Sequence, residues 1–269
     1  MDYQTNGKYF ETNRQLWEKR THVHIGSEFY ETEGIVADKS SLTEIEESLL
    51  PDLSGKRLLH LQCHFGLDTI SLARRGAICT GLDFSKEAIR NAKELSEKAG
   101  VAIDFVEANV YDTLSLNLGK FDVVFTSYGV LCWLPDLEEW ARIIADSLSP
   151  GGMLYLAEFH PALYMFDFNT GSMSYPYFNT GNPFEDLEEN TYADGSASIA
   201  MPSFFWSHSI SEVLNPLLKQ GMEISKLEEY PFSPFNCFPA MKKVGERRYY
   251  FGPEKAQVPQ VFVVMARKK

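Results

Sequence analysis

Residues 57–89, RLLHLQCHFGLDTISLARRGAICTGLDFSKEAI, decide the fold of this chain. The apolar run at 57–61 predicts a strand, and the spacing of apolar residues over 66–75 predicts a helix with one buried face. A second apolar run at 77–82 predicts another strand, which ends at Asp83. A glycine turn before a helix presents free backbone N–H groups and the positive helix end to a ligand. Because Asp83 lies 17 positions after that glycine, its carboxylate is placed to accept hydrogen bonds from ribose hydroxyls. The stretch therefore predicts a nucleoside-binding half-sheet.

The turn between this strand and helix, QCHFG at residues 62–66, contains a single glycine. A turn that binds the pyrophosphate of a dinucleotide has the pattern G-x-G-x-x-G, whose small residues let the backbone approach the phosphates. Bulky side chains fill that approach here. The turn therefore disfavours a nicotinamide-dependent oxidoreductase, which is kept as the second alternative.

The layout instead resembles the first motif of the class I S-adenosylmethionine-dependent methyltransferases, roughly acid-x-G-x-G-x-G. On that pattern His60 stands at the acidic position. Gln62 and His64 stand at the first two glycines, and Gly66 stands at the third. Three of these four positions depart from the pattern. The departures keep open a first alternative, a non-catalytic cofactor-binding or regulatory protein that retains the methyltransferase fold.

Later segments resemble the same family in its order and spacing as far as Pro161. After a third strand at 102–106 comes Asn109, where the family commonly has an Asp that meets the adenine amino group. Asn keeps the acceptor and adds a donor, so the chemistry of adenine recognition is retained. The chain also resembles a bacterial small-molecule type subgroup with LLHLQCH, WLPD and AEFHP segments. The remaining predicted elements are strands at 121–126, 153–159, 222–227 and 261–266 and helices at 41–50, 137–148 and 207–220.

The resemblance implies an α/β fold with a doubly wound, seven-stranded, mostly parallel sheet and an antiparallel last strand, the Rossmann-like methyltransferase fold. It implies an enzyme that uses S-adenosylmethionine as cofactor and transfers its methyl group to a small molecule. The cofactor-binding residues that it implies are Gln62, His64, Gly66, Asp83, Phe84, Asn109, Val110 and Ser127.

Glu158 and His160 are the candidate catalytic residues. They flank the carboxyl end of the fifth strand, where open α/β sheets place their ligands. Either is predicted to orient or deprotonate the acceptor, although Glu158 is also suited to be a fixed acceptor and His160 to shape the chain reversal. No metal site is expected, because strand alternation sends His60 and Cys63 to opposite faces and no cluster has ligand spacing.

The chain is expected to form a single domain, residues 1–269, with four parts. The parts are an N-terminal cap segment at 1–56, a cofactor-binding half at 57–160, a lid insertion at 161–206, and a C-terminal helix with antiparallel strands at 207–269. Aromatic residues and histidines of the cap segment are expected either to close over the cofactor or to pack beneath it. They are Trp17, His22, His24 and Tyr30.

Composition favours a cytoplasmic protein. The four cysteines are scattered, without a C-x-x-C, which is typical of reduced thiols. The first residues lack an apolar core, and no apolar run reaches membrane-spanning length, so no secretory signal and no membrane partner are expected. The net charge of −12 argues against a nucleic acid partner, which needs a basic face. The oligomeric state is left open.

The insertion is acidic and rich in aromatic residues. No Lys or Arg occurs from Ile143 to Leu218, and 161–206 contains eleven aromatic residues. Such density is too high for a disordered linker, so the insertion is interpreted as a substrate lid, with a solvated acidic rim as the alternative. An anionic acceptor would meet like charge there, so the acceptor is predicted to be neutral or cationic.

Overall fold

The computed structural model of the chain describes residues 6–253 and 257–269. In this described part, three α-helices precede the first strand. The Thr43 hydroxyl accepts a hydrogen bond from the backbone N–H two residues later (3.2 Å), and the Thr43 N–H donates to Glu46 (2.8 Å). This capping box fixes the start of the third helix, which therefore begins later than predicted. The helices are α1 (Gly7–His24), α2 (Thr32–Ala37) and α3 (Glu44–Leu49).

Strands and helices then mostly alternate, although the sequence analysis assigned no helix to 86–98, and only a short 3-10 helix lies between β3 and β4. The elements are β1 (Arg57–Leu61), α4 (Leu67–Arg74), β2 (Ile78–Asp83), α5 (Lys86–Lys98), β3 (Asp104–Glu107), β4 (Phe121–Ser127), α6 (Leu137–Ser147) and β5 (Leu148–Phe159). Side chains cap the helix starts: Ser85 accepts from the Ala88 N–H (3.0 Å), and Asp136 accepts from the Glu138 N–H (3.0 Å). These caps fix the residues at which α5 and α6 begin.

The elements after β5 are β6 (Phe184–Glu188), β7 (Met201–Phe205), α7 (Ile210–Lys219), β8 (Met222–Tyr230), β9 (Lys242–Gly245), β10 (Arg248–Tyr250) and β11 (Val261–Lys268). Four of these strands form two small hairpins outside the main sheet. β6 pairs antiparallel with β7, and β9 pairs antiparallel with β10. The sequence analysis predicted α7, β8 and β11 but neither hairpin, because these short strands lack a clear apolar alternation.

Seven strands form one sheet in the order β3-β2-β1-β4-β5-β11-β8. β1 pairs parallel with β2 and with β4, so that Leu61 lies opposite Leu82. β11 runs antiparallel to both of its neighbours, with Val261 between Phe159 and Tyr230. The predicted doubly wound, mostly parallel sheet with an antiparallel last strand is confirmed.

Apolar side chains pack on both faces of this sheet. Leu59 and Leu61 share one core with Trp140 of α6 and Val213 of α7, all fully or almost fully buried. Leu58 lies in the other core, with residues of α3. This alternation along β1 fixes which face of the sheet each side chain meets. The parallel pairing of the strands brings their carboxyl ends together at one edge of the sheet.

Helix α1 joins the N-terminal part to the insertion. The Asn13 amide donates to the Phe204 carbonyl oxygen (2.7 Å), and the Phe204 N–H donates back to Asn13 (2.9 Å). Glu18 accepts the backbone N–H groups of Lys86 (2.8 Å) and Glu87 (2.9 Å), at the start of α5. Helix α1 is therefore hydrogen-bonded both to β7 and to the start of α5. Within residues 6–253 and 257–269, none of the helices combines the length and apolar character needed to cross a bilayer.

Candidate active site

A cavity of about 680 Å³ opens beyond the carboxyl ends of β1, β2 and β4. Open α/β sheets bind their ligands at this edge, and small-molecule sites have volumes of roughly 300–1,000 Å³. The residues predicted to bind the cofactor all line this cavity. They are Gln62, His64, Gly66, Asp83, Phe84, Asn109, Val110 and Ser127.

The turn after β1 holds three residues in the left-handed backbone region. Gln62, His64 and Gly66 have φ angles of 55°, 51° and 78°. For a residue with a side chain this conformation costs roughly 1–2 kcal/mol, so the first two need compensating contacts. The Gln62 amide donates to the Val130 carbonyl oxygen (3.2 Å), and the His64 N–H donates to Asp83 (2.9 Å). The turn is thereby bonded to the end of β2 and to the loop after β4.

Asp83 lies at the end of β2 with 7% of its surface exposed. One carboxylate oxygen accepts the His64 N–H (2.9 Å), and the other accepts the Ser85 N–H (2.9 Å). Burial raises the pKa of Asp83 to about 6, although these N–H groups act to lower it. At neutral pH the side chain is therefore an anion, and each oxygen keeps a lone pair for a ligand hydroxyl.

Asn109 and Ser127 are held in place by their neighbours. The Asn109 side-chain oxygen accepts the backbone N–H two residues later (3.1 Å) and caps the short 3-10 helix Val110–Leu116. The Ser127 hydroxyl donates to Asp68 (3.1 Å), which also accepts from the Ser41 hydroxyl (2.5 Å). Asp68 lines the cavity, but sequence reasoning missed it. Its place in the first turn of α4, directly after the glycine turn, was the available signal.

The structure places Glu158, predicted to be catalytic, outside this cavity. Its side chain is 2% exposed, and its carboxylate accepts the backbone N–H groups of Gly129, Val130, Leu131 and Phe159 at 2.5–2.9 Å. Burial raises the pKa of the Glu158 carboxyl, and the four N–H groups oppose that shift. With four N–H donors bound, the carboxylate has little capacity left to contact an acceptor in the cavity. These contacts favour the other role considered for Glu158, a fixed acceptor that holds the loop after β4.

His160, the other predicted catalytic residue, also lies outside the cavity. Its Nδ1 accepts the Ala162 N–H (3.0 Å), and its Nε2 lies 2.9 Å from a carboxylate oxygen of Glu229 in β8. Burial lowers the pKa of His160, against the pull of Glu229. Because Nδ1 accepts a hydrogen bond and Nε2 faces Glu229, the geometry favours the other role considered for this histidine, shaping the chain reversal before Pro161.

His60, at the acidic position of the family motif, is buried in β1. Its Nδ1 lies 2.8 Å from the Thr69 hydroxyl, and burial lowers the pKa of His60 to about 4. The ring is therefore neutral at physiological pH and does not supply the negative charge of the motif. In the part of the chain that the structure describes, no group of three or more His, Cys, Asp or Glu side chains is arranged to hold a metal ion.

Residues of the N-terminal helices and the insertion form an aromatic cap around His64. The ring centroids of Trp17, His24 and Tyr30 lie 5.3, 5.3 and 5.6 Å from that of His64. The Tyr30 hydroxyl lies 2.5 Å from the hydroxyl of Tyr192 in the insertion. Trp17 and Tyr30 line the wall of the cavity. Their distance in sequence from the turn hid this contact.

Six aromatic rings form a chamber in the part of the cavity beyond β4 and β5. They are Phe159, Tyr164, Phe166, Phe168, Phe235 and Phe238. Phe168 stacks on Phe238, with ring centroids 4.1 Å apart and planes at 21°. The last two rings belong to the segment between β8 and β9, which sequence reasoning did not place near the site. Walls of this kind favour a planar, largely apolar ligand.

The acidic residues of the insertion divide into two groups. Asp167, Asp186, Glu188 and Glu189 line the cavity, and Glu185 and Asp194 do not. Asp167 accepts the backbone N–H groups of the turn that follows it (2.8 and 2.9 Å), and Glu188 pairs with Arg20 (2.8 Å). The negative charge that faces the cavity is therefore smaller than the sequence suggests.

Comparison with known proteins relates the central part of the chain to one family. Residues 59–156 match the model described as a methyltransferase domain. The ubiquinone biosynthesis O-methyltransferase of Ralstonia nicotianae is 36% identical over 108 residues, which cover 40% of this chain and 45% of that protein. The protein of the same name from Escherichia coli O157:H7 is 28% identical over 137 residues, 49% of this chain and 57% of that one. The chain thus spans about half the length of these curated relatives.

Solved structures share the fold over most of the chain. An S-adenosylmethionine-dependent methyltransferase from Mesorhizobium loti has a TM-score of 0.55 at 20% identity, over 83% of this chain and 95% of that one. A second, from Methanosarcina mazei, has a TM-score of 0.53 at 20% identity, over 84% of this chain and 98% of that one. The implied Rossmann-like fold is confirmed. Residues 59–156 therefore match the methyltransferase domain family, and the chain shares the fold of these S-adenosylmethionine-dependent methyltransferases.

Proposed function

We propose that this protein is an S-adenosylmethionine-dependent methyltransferase that acts on a small molecule. The observation that carries the proposal is the meeting of all eight expected cofactor residues in one cavity at the carboxyl edge of the sheet. Asp83 offers an anionic acceptor for ribose hydroxyls at the end of β2, and Asn109 follows β3 on the side proposed for adenine. The family match of residues 59–156 supports the same assignment.

The chemistry asks little of the protein beyond binding and placement. When bound, S-adenosylmethionine supplies an electrophilic methyl group, so no covalent intermediate with the protein is needed. The turn after β1 and Asp83 hold the nucleoside end. The aromatic chamber orients the acceptor in line with the methyl group and excludes water. No proton transfer is assigned to Glu158 or His160, because neither lines the cavity.

The acceptor that we propose is a small planar molecule, neutral or cationic. The rings of the aromatic chamber favour a flat apolar surface, and the carboxylates of Asp167, Asp186 and Glu189 oppose an anionic group. The curated relatives carry the name ubiquinone biosynthesis O-methyltransferase, which favours oxygen as the atom that accepts the methyl group. The cytoplasmic location stays a prediction.

Calorimetry with S-adenosylhomocysteine tests the cofactor site. Asp83→Ala removes a charged acceptor, which is worth roughly 1.5–3 kcal/mol, so affinity should fall at least about tenfold. Glu107→Ala is the matched control, because Glu107 ends the neighbouring strand opposite Asp83 but is exposed and lies outside the cavity. Unchanged affinity in a folded Asp83→Ala protein would exclude this site. Binding without formation of S-adenosylhomocysteine from any metabolite in a broad panel would favour the regulatory alternative.

A further inference from the structure

Arg20 is a buried cation on the wall of the cavity. Among the described residues that line the cavity, Arg20 and Arg247 carry the positive charges, and Arg247 is exposed. The Arg20 side chain is 6% exposed, and its guanidinium carbon lies 5.0 Å from the ring centre of Trp17 and 5.7 Å from that of Trp133. Two aromatic faces thus hold the guanidinium in one place, where its donors are directed rather than mobile.

The bonding of Arg20 is incomplete. Its Nη2 lies 2.8 Å from a carboxylate oxygen of Glu188, the last residue of β6. Its Nε–H is buried and has no hydrogen-bond partner among the described residues. A buried donor without a partner costs free energy, so the site favours a further acceptor. A carboxylate meets this need best, since it accepts two parallel N–H bonds from one guanidinium.

Arg20 lies close to the turn after β1. Its neighbour Trp17 contacts His64 with ring centroids 5.3 Å apart, and Trp17 also contacts Trp133 at 5.6 Å. Under the proposed function, the nucleoside extends from Asn109 past Asp83, and the amino-acid end of the cofactor continues over β1 toward the loop after β4. That end carries a carboxylate. The position and the chemistry of Arg20 therefore coincide with one group of the ligand.

We propose that Arg20 binds the carboxylate of the cofactor's amino-acid end and exchanges Glu188 for it, so that cofactor binding loosens the β6 end of the insertion. This inference rests on the proposed function. In the free protein Glu188 occupies Arg20 and holds the insertion against α1. When the cofactor carboxylate takes its place, Glu188, already 26% exposed, keeps one oxygen on the Ser203 hydroxyl (3.1 Å) and turns the released oxygen to solvent.

The loosening is local, because the other contacts between α1 and the insertion remain. The reciprocal pair of Asn13 with Phe204 fixes β7 to α1, and Phe204 lies opposite Glu185, three residues before Glu188 in β6. His24 lies 2.5 Å from the Thr191 hydroxyl, just after β6. The insertion thus keeps its anchor at β7 while the end of β6 responds to the occupancy of Arg20.

The test compares two ligands that differ in the amino-acid end. S-adenosylhomocysteine carries the carboxylate, whereas 5′-deoxy-5′-methylthioadenosine keeps the adenosine and the sulfur without it. Arg20→Gln should lower the calorimetric affinity for S-adenosylhomocysteine at least about tenfold and leave that for methylthioadenosine within about threefold. Arg247→Gln, the exposed cation of the same cavity, should change neither. Equal losses for both ligands, or no loss for either, would overturn the role of Arg20.

The exchange has its own readout. Glu188→Gln removes the competing anion, so affinity for S-adenosylhomocysteine should rise about threefold to tenfold while that for methylthioadenosine stays constant. A fall or no change would overturn the exchange. If Arg20→Gln does not fold, the Arg20→Gln/Glu188→Gln double variant leaves no lone buried charge and should show the same loss for S-adenosylhomocysteine alone. Failure of the wild-type protein to bind either ligand would instead refute the proposed function.

Discussion

Replacing Gly66 with alanine should destabilise the turn after β1 through two separable effects. The φ of 78° costs an L side chain roughly 1–2 kcal/mol. An added Cβ would also lie 2.7 Å from Cζ of Phe105 and 3.2 Å from Cβ of Ala92. Forcing atoms into a filled core costs about 1–3 kcal/mol. Gly66→Ala should therefore lower the free energy of unfolding by about 2–5 kcal/mol, the sum of the two effects.

Two other glycines measure these effects one at a time. Gly100 has a φ of 69° and nothing within 4 Å of an added Cβ, so Gly100→Ala should show only the backbone cost, roughly 1–2 kcal/mol. Gly81 lacks a positive φ, but its Cβ would lie 2.6 Å from Cε1 of Phe105, so Gly81→Ala should show only the contact. Urea denaturation measures all three variants. If Gly66→Ala costs no more than Gly100→Ala, the Phe105 ring is not a fixed wall and the reasoning is refuted. In a Phe105→Leu background, the Gly66→Ala cost should fall toward that of Gly100→Ala, leaving only the milder contact with Ala92.

Three further predictions concern the ionisation of Asp83 and the roles of Glu158 and His160. Because the pKa of Asp83 is raised to about 6 and its anion is the better acceptor, affinity for S-adenosylhomocysteine should fall about tenfold from pH 7 to pH 5. Calorimetry between pH 5 and pH 7 measures this affinity. An affinity that does not change with pH would show that Asp83 does not contribute to ligand binding. Glu158→Gln should lower the free energy of unfolding by about 1–3 kcal/mol, since its amide cannot accept all four N–H groups. His160→Asn should leave turnover within a few-fold. A turnover loss of roughly 10² or more in folded His160→Asn would restore the predicted base.

Much of the central fold was predictable because it follows local rules. The strand predicted at 57–61 has the same bounds in the structure, and the second predicted strand ends at Asp83 as expected. Apolar runs, a glycine turn and helix caps each involve only a few neighbouring residues, so they can be recognised in the sequence alone. The expected cofactor residues likewise follow strand ends, and parallel strands bring such ends to one edge. Position along a strand was therefore enough to place Asp83 and Asn109 on the cavity.

Other features depend on contacts between distant segments. The position of Glu158 at the end of β5 was correct, but its direction is set by the loop after β4, whose N–H groups enclose the carboxylate. Arg20 lies within α1, and its partner Glu188 is 168 positions away in the sequence. Phe238 enters the aromatic chamber from the segment before β9. A local pattern holds no information about which distant segment will fold against it.

The departures from the glycine motif are explained by what their side chains reach. A glycine at position 64 would avoid the left-handed backbone cost of roughly 1–2 kcal/mol. The histidine instead places a ring within 5.3 Å of Trp17 and His24 and 4.1 Å of Phe65. Aromatic pairs contribute about 0.5–1.5 kcal/mol each, so two or three of them offset that cost. Because Trp17 and His24 belong to α1, the same ring joins the turn to the N-terminal part of the chain. A turn that has merely lost its glycines would carry the cost without the contacts. The aromatic cap around His64 therefore weakens the alternative of a fold retained without a working cofactor site.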